Sequence, residues 1–141
     1  MPKVFTDTSA LYALADKRDQ NHDESKVLYE KLLSKMATFL ITDYIIAECA
    51  TLIRRRLGYS KSVDFINLVE EGEALGLFEI VFVERVVFKK AEQIFRDMQS
   101  GKLSLVDAIS FATMQHKKVS KYFAFDKHFD EVGFKNIKLE L

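Results

Sequence analysis

Short apolar runs alternate along the chain with longer segments whose apolar residues recur every three or four positions. The short runs, such as residues 3–6 and 122–125, lack strict alternation of apolar and polar positions, which is typical of strands buried on both faces. The longer segments have the spacing of amphipathic helices. In the segment 23–36, the apolar side of the predicted helix consists of Val27, Leu28, Leu32 and Met36.

Strand and helix signals follow one another over the whole sequence. Gly58 and Gly76 each end a predicted helix, and Asp43, Ser60 and Ser104 are predicted N-caps. Strands are predicted at 3–6, 39–41, 78–83, 122–125 and 136–139, and helices at 9–16, 23–36, 44–57, 61–75, 84–99, 105–119 and 127–132. This alternation predicts an α/β fold in which a mainly parallel sheet of four to five strands is covered by helices on both faces.

Length, charge and cysteine content limit the classes of protein to be considered. The 141 residues are 48% hydrophobic, so we expect a single domain over 1–141 with one core. Basic and acidic residues balance at 21 each, so no global charge attracts nucleic acid or membranes. The single cysteine, Cys49, excludes an internal disulfide and suits a reducing compartment. We expect a cytoplasmic protein, because neither a secretory signal nor the roughly 18–20 apolar residues of a membrane span are visible.

Four carboxylates stand where solvated surface acids are not expected. Asp7 and Asp126 end predicted strands, and Asp107 opens a segment almost free of charges. Glu48 falls on the apolar stripe of its predicted helix, so we expect it on the inner face. Because ligands of open parallel sheets gather beyond the carboxyl ends of the strands, the four acids can converge on one crevice.

A shared divalent cation would explain these four acids together. Buried carboxylates require a compensating partner, and these segments contain no Lys or Arg. Mg²⁺ and Mn²⁺ prefer carboxylate oxygens as ligands. Sites of this kind serve the hydrolysis of phosphodiesters. The sequence therefore predicts a Mg²⁺ or Mn²⁺ site with hydrolysis as its chemistry.

Simpler structural roles remain open for the residues taken singly. Asp7, Asp107 and Asp126 could each cap a helix. The Ser9 hydroxyl could cap the same helix as Asp7 or orient the Asp7 carboxylate. His128 lies two residues from Asp126, but an ordinary surface position is the more frequent case for such a histidine.

Basic residues follow two of the helices that carry the acids. Arg54, Arg55 and Arg56 end the helix of Glu48, and three lysines lie within 117–121. Favourable interaction with the helix C-terminal dipole is the simpler explanation. Contact with the phosphates of a nucleic acid is the functional alternative.

The ordered set of motifs resembles that of the PIN-domain family, and within it the VapC-like toxin ribonucleases. The matching segments are DTSAL at 7–11, ITDYIIAE at 41–48, LVDAISFAT at 105–113 and FDKHF at 125–129. Each motif alone is loose, whereas the ordered set is specific and spans almost the whole chain.

This resemblance implies a PIN-like three-layer α/β/α sandwich and cleavage of RNA that depends on Mg²⁺ or Mn²⁺. It also implies a homodimer and often a small antitoxin protein as partner. The acidic, metal-binding and catalytic positions that it implies are Asp7, Glu48, Asp107 and Asp126, with Ser9 and Thr42 as supporting hydroxyls.

The chain departs from the family pattern at one position. The family usually has Thr or Ser two residues before its last acid, where this chain has Ala124. Hydroxyl support for Asp126 is therefore weaker, and Asp130, one helical turn further on, is an alternative ligand.

An endoribonuclease toxin is the leading functional hypothesis. The alternative is a non-catalytic RNA-binding or scaffold module of the same fold, which the complete set of acids disfavours. A phosphate-handling enzyme of the haloacid-dehalogenase type would need a second Asp where Ser9 stands. A receiver domain would need paired acids before Asp7, where Phe5 and Thr6 stand.

Overall fold

Parallel strands and helices alternate in this computed structural model, which describes residues 2–99, 101–126, 128–132 and 135–136. The strands are β1 (Lys3–Thr6), β2 (Thr38–Thr42), β3 (Phe78–Val81), β4 (Lys121–Phe123) and β5 (Lys135–Asn136). The helices are α1 (Thr8–Ala15), α2 (His22–Ser34), α3 (Asp43–Leu57), α4 (Tyr59–Ala74), α5 (Arg85–Asp97), α6 (Leu105–Lys117) and α7 (His128–Glu131).

The five strands form one sheet in the order β3-β2-β1-β4-β5, and every neighbouring pair is parallel. The chain moves outward from β1 through β2 to β3, and then returns past β1 to begin β4. The strand order therefore reverses between β1 and β4. In open α/β sheets, ligands bind at such a reversal, beyond the carboxyl ends of the strands.

Helices cover the sheet on both faces. Consecutive residues are buried in the central strands, including Val4, Phe5 and Thr6 of β1. Since neighbouring side chains of a strand point to opposite faces, both faces must be covered. Helices α1 to α4 pack as one series, whereas α5 packs on α6 through small residues such as Ala91 and Ala108. The predicted α/β fold with a parallel sheet is confirmed.

The caps of two helices differ from those predicted. Thr42 caps α3 in place of Asp43, because the Thr42 hydroxyl accepts a hydrogen bond from the Ile45 N–H at 3.1 Å. Asp43 is the first residue of α3, and its carboxylate accepts from the Val83 N–H at 3.1 Å. The predicted Ser60 cap of α4 is also wrong, since α4 already begins at Tyr59.

Several predicted element ends shift by one to three residues. The apolar side of α2 is correct at Leu28 and Leu32, but Val27 and Met36 are 49% and 66% exposed. Strand β4 ends at Phe123, so Asp126 lies beyond the strand rather than at its last position. The last strand begins one residue earlier than predicted, and residues 137–139 lie outside the described part. No helix among the described residues combines the length and the apolar character needed to cross a membrane.

Candidate active site

The ends of β1 and β4 bring two acids to the point where the strand order reverses. Asp7 directly follows β1 and caps α1. Its backbone N–H donates to the Phe123 carbonyl oxygen at 3.0 Å, which holds the two strand ends together. Asp126 lies three residues after Phe123, and Asp107 lies in the first turn of α6, the helix that precedes β4.

Asp7 is a buried carboxyl group whose bonds within the fold are made by Ser9. Its Oδ2 accepts from the Ser9 hydroxyl at 2.8 Å and from the Ser9 N–H at 3.1 Å. Burial raises the pKa of Asp7 to about 7, against the lowering effect of the Ser9 bonds, and the carboxylates of Asp107 and Asp126 add to the rise. The helix-cap role and the acidic-cluster role foreseen for Asp7 are therefore both present in one side chain.

The Ser9 hydroxyl links the two halves of the site. Besides donating to Asp7, it accepts a hydrogen bond from the Phe125 N–H at 3.0 Å. One hydroxyl thus ties the start of α1 to the residue just before Asp126. Ala124 offers no hydroxyl here, so the bond from Ser9 holds the backbone of the segment that carries Asp126 rather than its carboxylate.

Asp107 completes a capping box at the start of α6. Its N–H donates to the Ser104 hydroxyl at 3.0 Å, and its Oδ2 accepts from the Ser104 N–H at 3.2 Å. The side chain is buried, and burial raises the pKa of Asp107, with a further rise from the carboxylate of Asp126. Of these two bonds, only the one from the Ser104 N–H involves the carboxylate, and it is made to Oδ2.

Asp107, Asp126 and His128 offer three ligand atoms that all lie within 4.8 Å of one another. The His128 N–H donates to Asp126 Oδ1 at 2.9 Å, and its ring Nε2 lies 3.7 Å from the same oxygen. The imidazole is only 12% exposed. The expectation of an ordinary surface histidine is therefore wrong, and its spacing of two residues from Asp126 was the signal for its place.

Glu48 lies at the rim of the site rather than inside it. It is exposed, so the prediction that its helical stripe would bury it is wrong. It borders an open cleft of about 540 Å³. The cleft is lined by Thr8, Tyr44, Ala47, Glu48, Thr51, Leu52, Arg55 and Val106. Burial raises the pKa of Cys49 to about 12, and the carboxylates of Glu48 and Asp7 add to the rise. Both carboxylates therefore influence Cys49, the residue that follows Glu48 on α3.

Two other predicted residues are not joined to the cluster by the described contacts. The Thr42 hydroxyl is buried and makes the capping bond of α3, which is a structural role. The side chain of Asp130 lies outside the described part of the chain, so its role as an alternative ligand stays a prediction.

The donors of the cluster fit a divalent cation. Asp107 and Asp126 lie together at this end of the sheet, and both carboxylates lie near enough to Asp7 to raise its pKa; the pKa of Asp107 is raised as well. Among the described residues, only His128 places a basic group within ion-pair distance of Asp126. A divalent cation would relieve the repulsion between these carboxylates. The fold and the site define an α/β protein with an acidic, cation-compatible cluster at the switch point of its sheet.

The comparisons with known proteins identify the family. A family model for the PIN domain matches residues 4–135, so this chain belongs to the PIN domain family. It is 31% identical to the 23S rRNA-specific endonuclease VapC20 of Mycobacterium tuberculosis, from strains CDC 1551 and H37Rv, over 97% of this chain and 99% of the relative. The crystal structure of M. tuberculosis VapC20, described as a sarcin–ricin loop cleaving toxin, matches with a TM-score of 0.80.

That structural match has 27% sequence identity and covers 93% of this chain and 95% of the solved chain. The predicted PIN-like α/β/α sandwich and the VapC-like resemblance are thereby confirmed.

Proposed function

We propose that this chain is a metal-dependent endoribonuclease that hydrolyses RNA phosphodiesters and acts as the toxin of a toxin–antitoxin pair. The observation that carries the proposal is the grouping of Asp107 and Asp126 at the switch point of a PIN fold, near enough to the buried Asp7 to raise its pKa. Relatives that match nearly the whole chain are named 23S rRNA-specific endonucleases, which supports ribosomal RNA as the substrate class.

The acidic cluster would hold Mg²⁺ or Mn²⁺, with Asp7, Asp107 and Asp126 as ligands and Glu48 at the rim. A divalent ion bound there lowers the pKa of a coordinated water and offsets negative charge on the phosphodiester. The capping box holds Asp107 through one carboxylate oxygen, and the Ser9 hydroxyl holds the Asp7 carboxylate. Burial of these groups keeps competing water away and strengthens their charge interactions.

A non-catalytic RNA-binding module is the less favoured alternative. A binding surface needs exposed cations and aromatic rings, and has no use for buried carboxylates that disfavour folding when ionised. Asp7 is 4% exposed and Asp107 is 9% exposed. The burial of these two acids favours catalysis over simple binding.

Cleavage of ribosomal RNA tests the proposal directly. Purified protein with Mn²⁺ or Mg²⁺ should cut 23S rRNA within ribosomes or in isolated form at a small number of positions, and excess EDTA should stop the reaction. Primer extension would map the cut sites, and a loop of 23S rRNA is the expected target class. Intact rRNA after prolonged incubation with either ion would contradict the proposed activity.

The three consecutive arginines of α3 point in different directions, and only one of them faces the cleft. The Arg54 guanidinium lies 4.9 Å from the ring centroid of Tyr59, and that of Arg56 lies 5.2 Å from the ring centroid of Tyr12. Arg55 lines the cleft beside Glu48. The predicted three-residue RNA patch is therefore narrowed to Arg55.

Arg55→Gln should weaken RNA binding and reduce its salt dependence, because one phosphate contact fewer releases fewer counterions. For single-stranded RNA the slope of log K against log salt should fall by about 0.7. Arg54→Gln is the matched control, since it removes the same charge one residue away on the same helix. Binding titrations at several salt concentrations decide the matter. Equal losses in the two variants would show that general charge, and not the cleft, binds RNA.

The proposed assembly includes a homodimer and a small antitoxin protein. The dimer faces are predicted on the segments 61–75 and 84–99, which correspond to α4 and α5. Each of these helices has an exposed apolar side chain, Leu68 at 54% and Val86 at 65% exposure. A toxin acting on ribosomal RNA works where ribosomes are, so the cytoplasm is the proposed location. Sedimentation showing only monomer at tens of micromolar would contradict the dimer.

A further inference from the structure

The imidazole of His128 is held against the acidic cluster by its own backbone. The His128 N–H donates to Asp126 Oδ1 at 2.9 Å, so the loop before α7 fixes the carboxylate and the ring in one unit. Ring Nε2 lies 3.7 Å from that oxygen. With Asp107, the three ligand atoms fall within 4.8 Å, close to the roughly 3–4 Å that ligands of one ion of this size require.

The second ring nitrogen is placed as in a ligating histidine. Nδ1 is buried and makes no hydrogen bond with the described residues, and the carboxylate of Glu131 lies 3.6 Å from it. Metal-bound imidazoles commonly direct their second nitrogen at a carboxylate, which fixes the tautomer and the ring orientation. The ring thus has one nitrogen near Asp126 of the acidic cluster and the other near Glu131.

We propose that His128 is a nitrogen ligand of the metal site, beside Asp107 and Asp126, and that it makes the site select a first-row transition ion, such as Mn²⁺, over Mg²⁺. The inference rests on the proposed metal dependence of the enzyme and specifies the ion. Mg²⁺ and Mn²⁺ both bind carboxylate oxygens, but Mg²⁺ is the harder cation and retains its water. An imidazole ligand therefore adds a preference for the transition ion that carboxylates alone do not supply.

Pulsed electron paramagnetic resonance of the wild-type protein with Mn²⁺ tests the nitrogen ligand without any substitution. Directly bound imidazole should produce ¹⁴N modulation from the Mn²⁺ signal, and this modulation should disappear in His128→Gln. An Mn²⁺ complex of the wild-type protein without ¹⁴N modulation would overturn the proposal.

Metal affinities measured by calorimetry test the selectivity. Wild-type protein should bind Mn²⁺ at least tenfold more tightly than Mg²⁺. His128→Gln should lose roughly tenfold or more of its Mn²⁺ affinity, while its Mg²⁺ affinity changes by less than about threefold, which also reports an intact site. His116→Gln is the matched control, because His116 is exposed and lies nine residues along α6 from Asp107, about 14 Å away.

The outcomes separate this inference from the function on which it rests. Equal losses of Mn²⁺ and Mg²⁺ affinity in His128→Gln would overturn the selectivity. Wild-type protein that cleaves RNA equally well with either ion, and shows no ¹⁴N modulation, would overturn the inference and leave the ribonuclease standing. Absence of any metal binding together with absence of cleavage would overturn both.

Discussion

Asp107→Asn should reduce RNA cleavage by about a thousandfold or more while leaving the fold intact. The change removes one negative ligand of the cluster, and metal-assisted charge stabilisation contributes several kcal/mol, where each 1.4 kcal/mol is about tenfold in rate. An asparagine oxygen can still accept the hydrogen bond from the Ser104 N–H, which in the wild type is made to the Asp107 carboxylate at 3.2 Å. Single-turnover cleavage and the melting temperature should be measured on the same preparation.

Ser104→Ala separates the helix cap from the carboxylate. It removes the hydroxyl that accepts the Asp107 N–H at 3.0 Å, and loss of such a cap costs about 1 kcal/mol of unfolding free energy. This variant should be less stable than Asp107→Asn, yet cleave RNA far faster. If Asp107→Asn cut RNA at the wild-type rate, the nuclease activity would reside elsewhere or in a contaminant.

The local pattern determines most of the fold. The apolar run predicted as a strand at residues 3–6 coincides with β1. In a buried central strand the apolar run itself marks where the strand begins and ends. The spacing of apolar residues does not show where a helix ends, and it extends the predicted α2 as far as Met36. In the structure Met36 has a φ of 58° and lies beyond the helix end, at 66% exposure. The position of β4 beside β1 depends on contacts between distant segments, and the periodicity of either segment does not contain that information.

Helical geometry explains two differences between the predicted and the observed arrangement of side chains. Consecutive residues of a helix are turned by about 100°, so Arg54, Arg55 and Arg56 cannot form one patch. The same geometry places Glu48 near the edge of the buried stripe of α3, where the adjoining cleft exposes it. The width of a buried face depends on what packs against it, and the sequence of one helix does not contain that information.

His128 was missed as a member of the site for a different reason. Its place depends on a tight turn in which the His128 N–H bonds Asp126 Oδ1, and on the approach of α6 that brings Asp107 to the same point. Spacing alone gives only proximity to Asp126.

Metal-free protein should become less stable as the pH rises from about 4 to about 7, and Asp7→Asn should remove much of this slope. Burial raises the pKa of Asp7 to about 7 in the folded protein, from its ordinary value of 3.8. Between these values the folded state keeps a proton that the unfolded state releases, so the free energy of unfolding falls with rising pH and levels off above pH 7. Three pKa units correspond to roughly 4 kcal/mol at most.

Asp7→Asn should therefore be more stable than the wild type at pH 8 in EDTA, by a few kcal/mol, and lose this advantage near pH 4.5. The asparagine can still cap α1 through the Ser9 N–H, so the helix start is preserved. Denaturant unfolding at both pH values measures the difference.

Adding Mn²⁺ at a hundred times its dissociation constant should stabilise the wild type by about 2.7 kcal/mol and the variant far less. An Asp7→Asn protein that is less stable than the wild type at pH 8 in EDTA would show that ionised Asp7 does not destabilise the fold. A variant that Mn²⁺ stabilises as much as the wild type would show that Asp7 is not a metal ligand. Both results together would require that Asp7 serves only to cap α1.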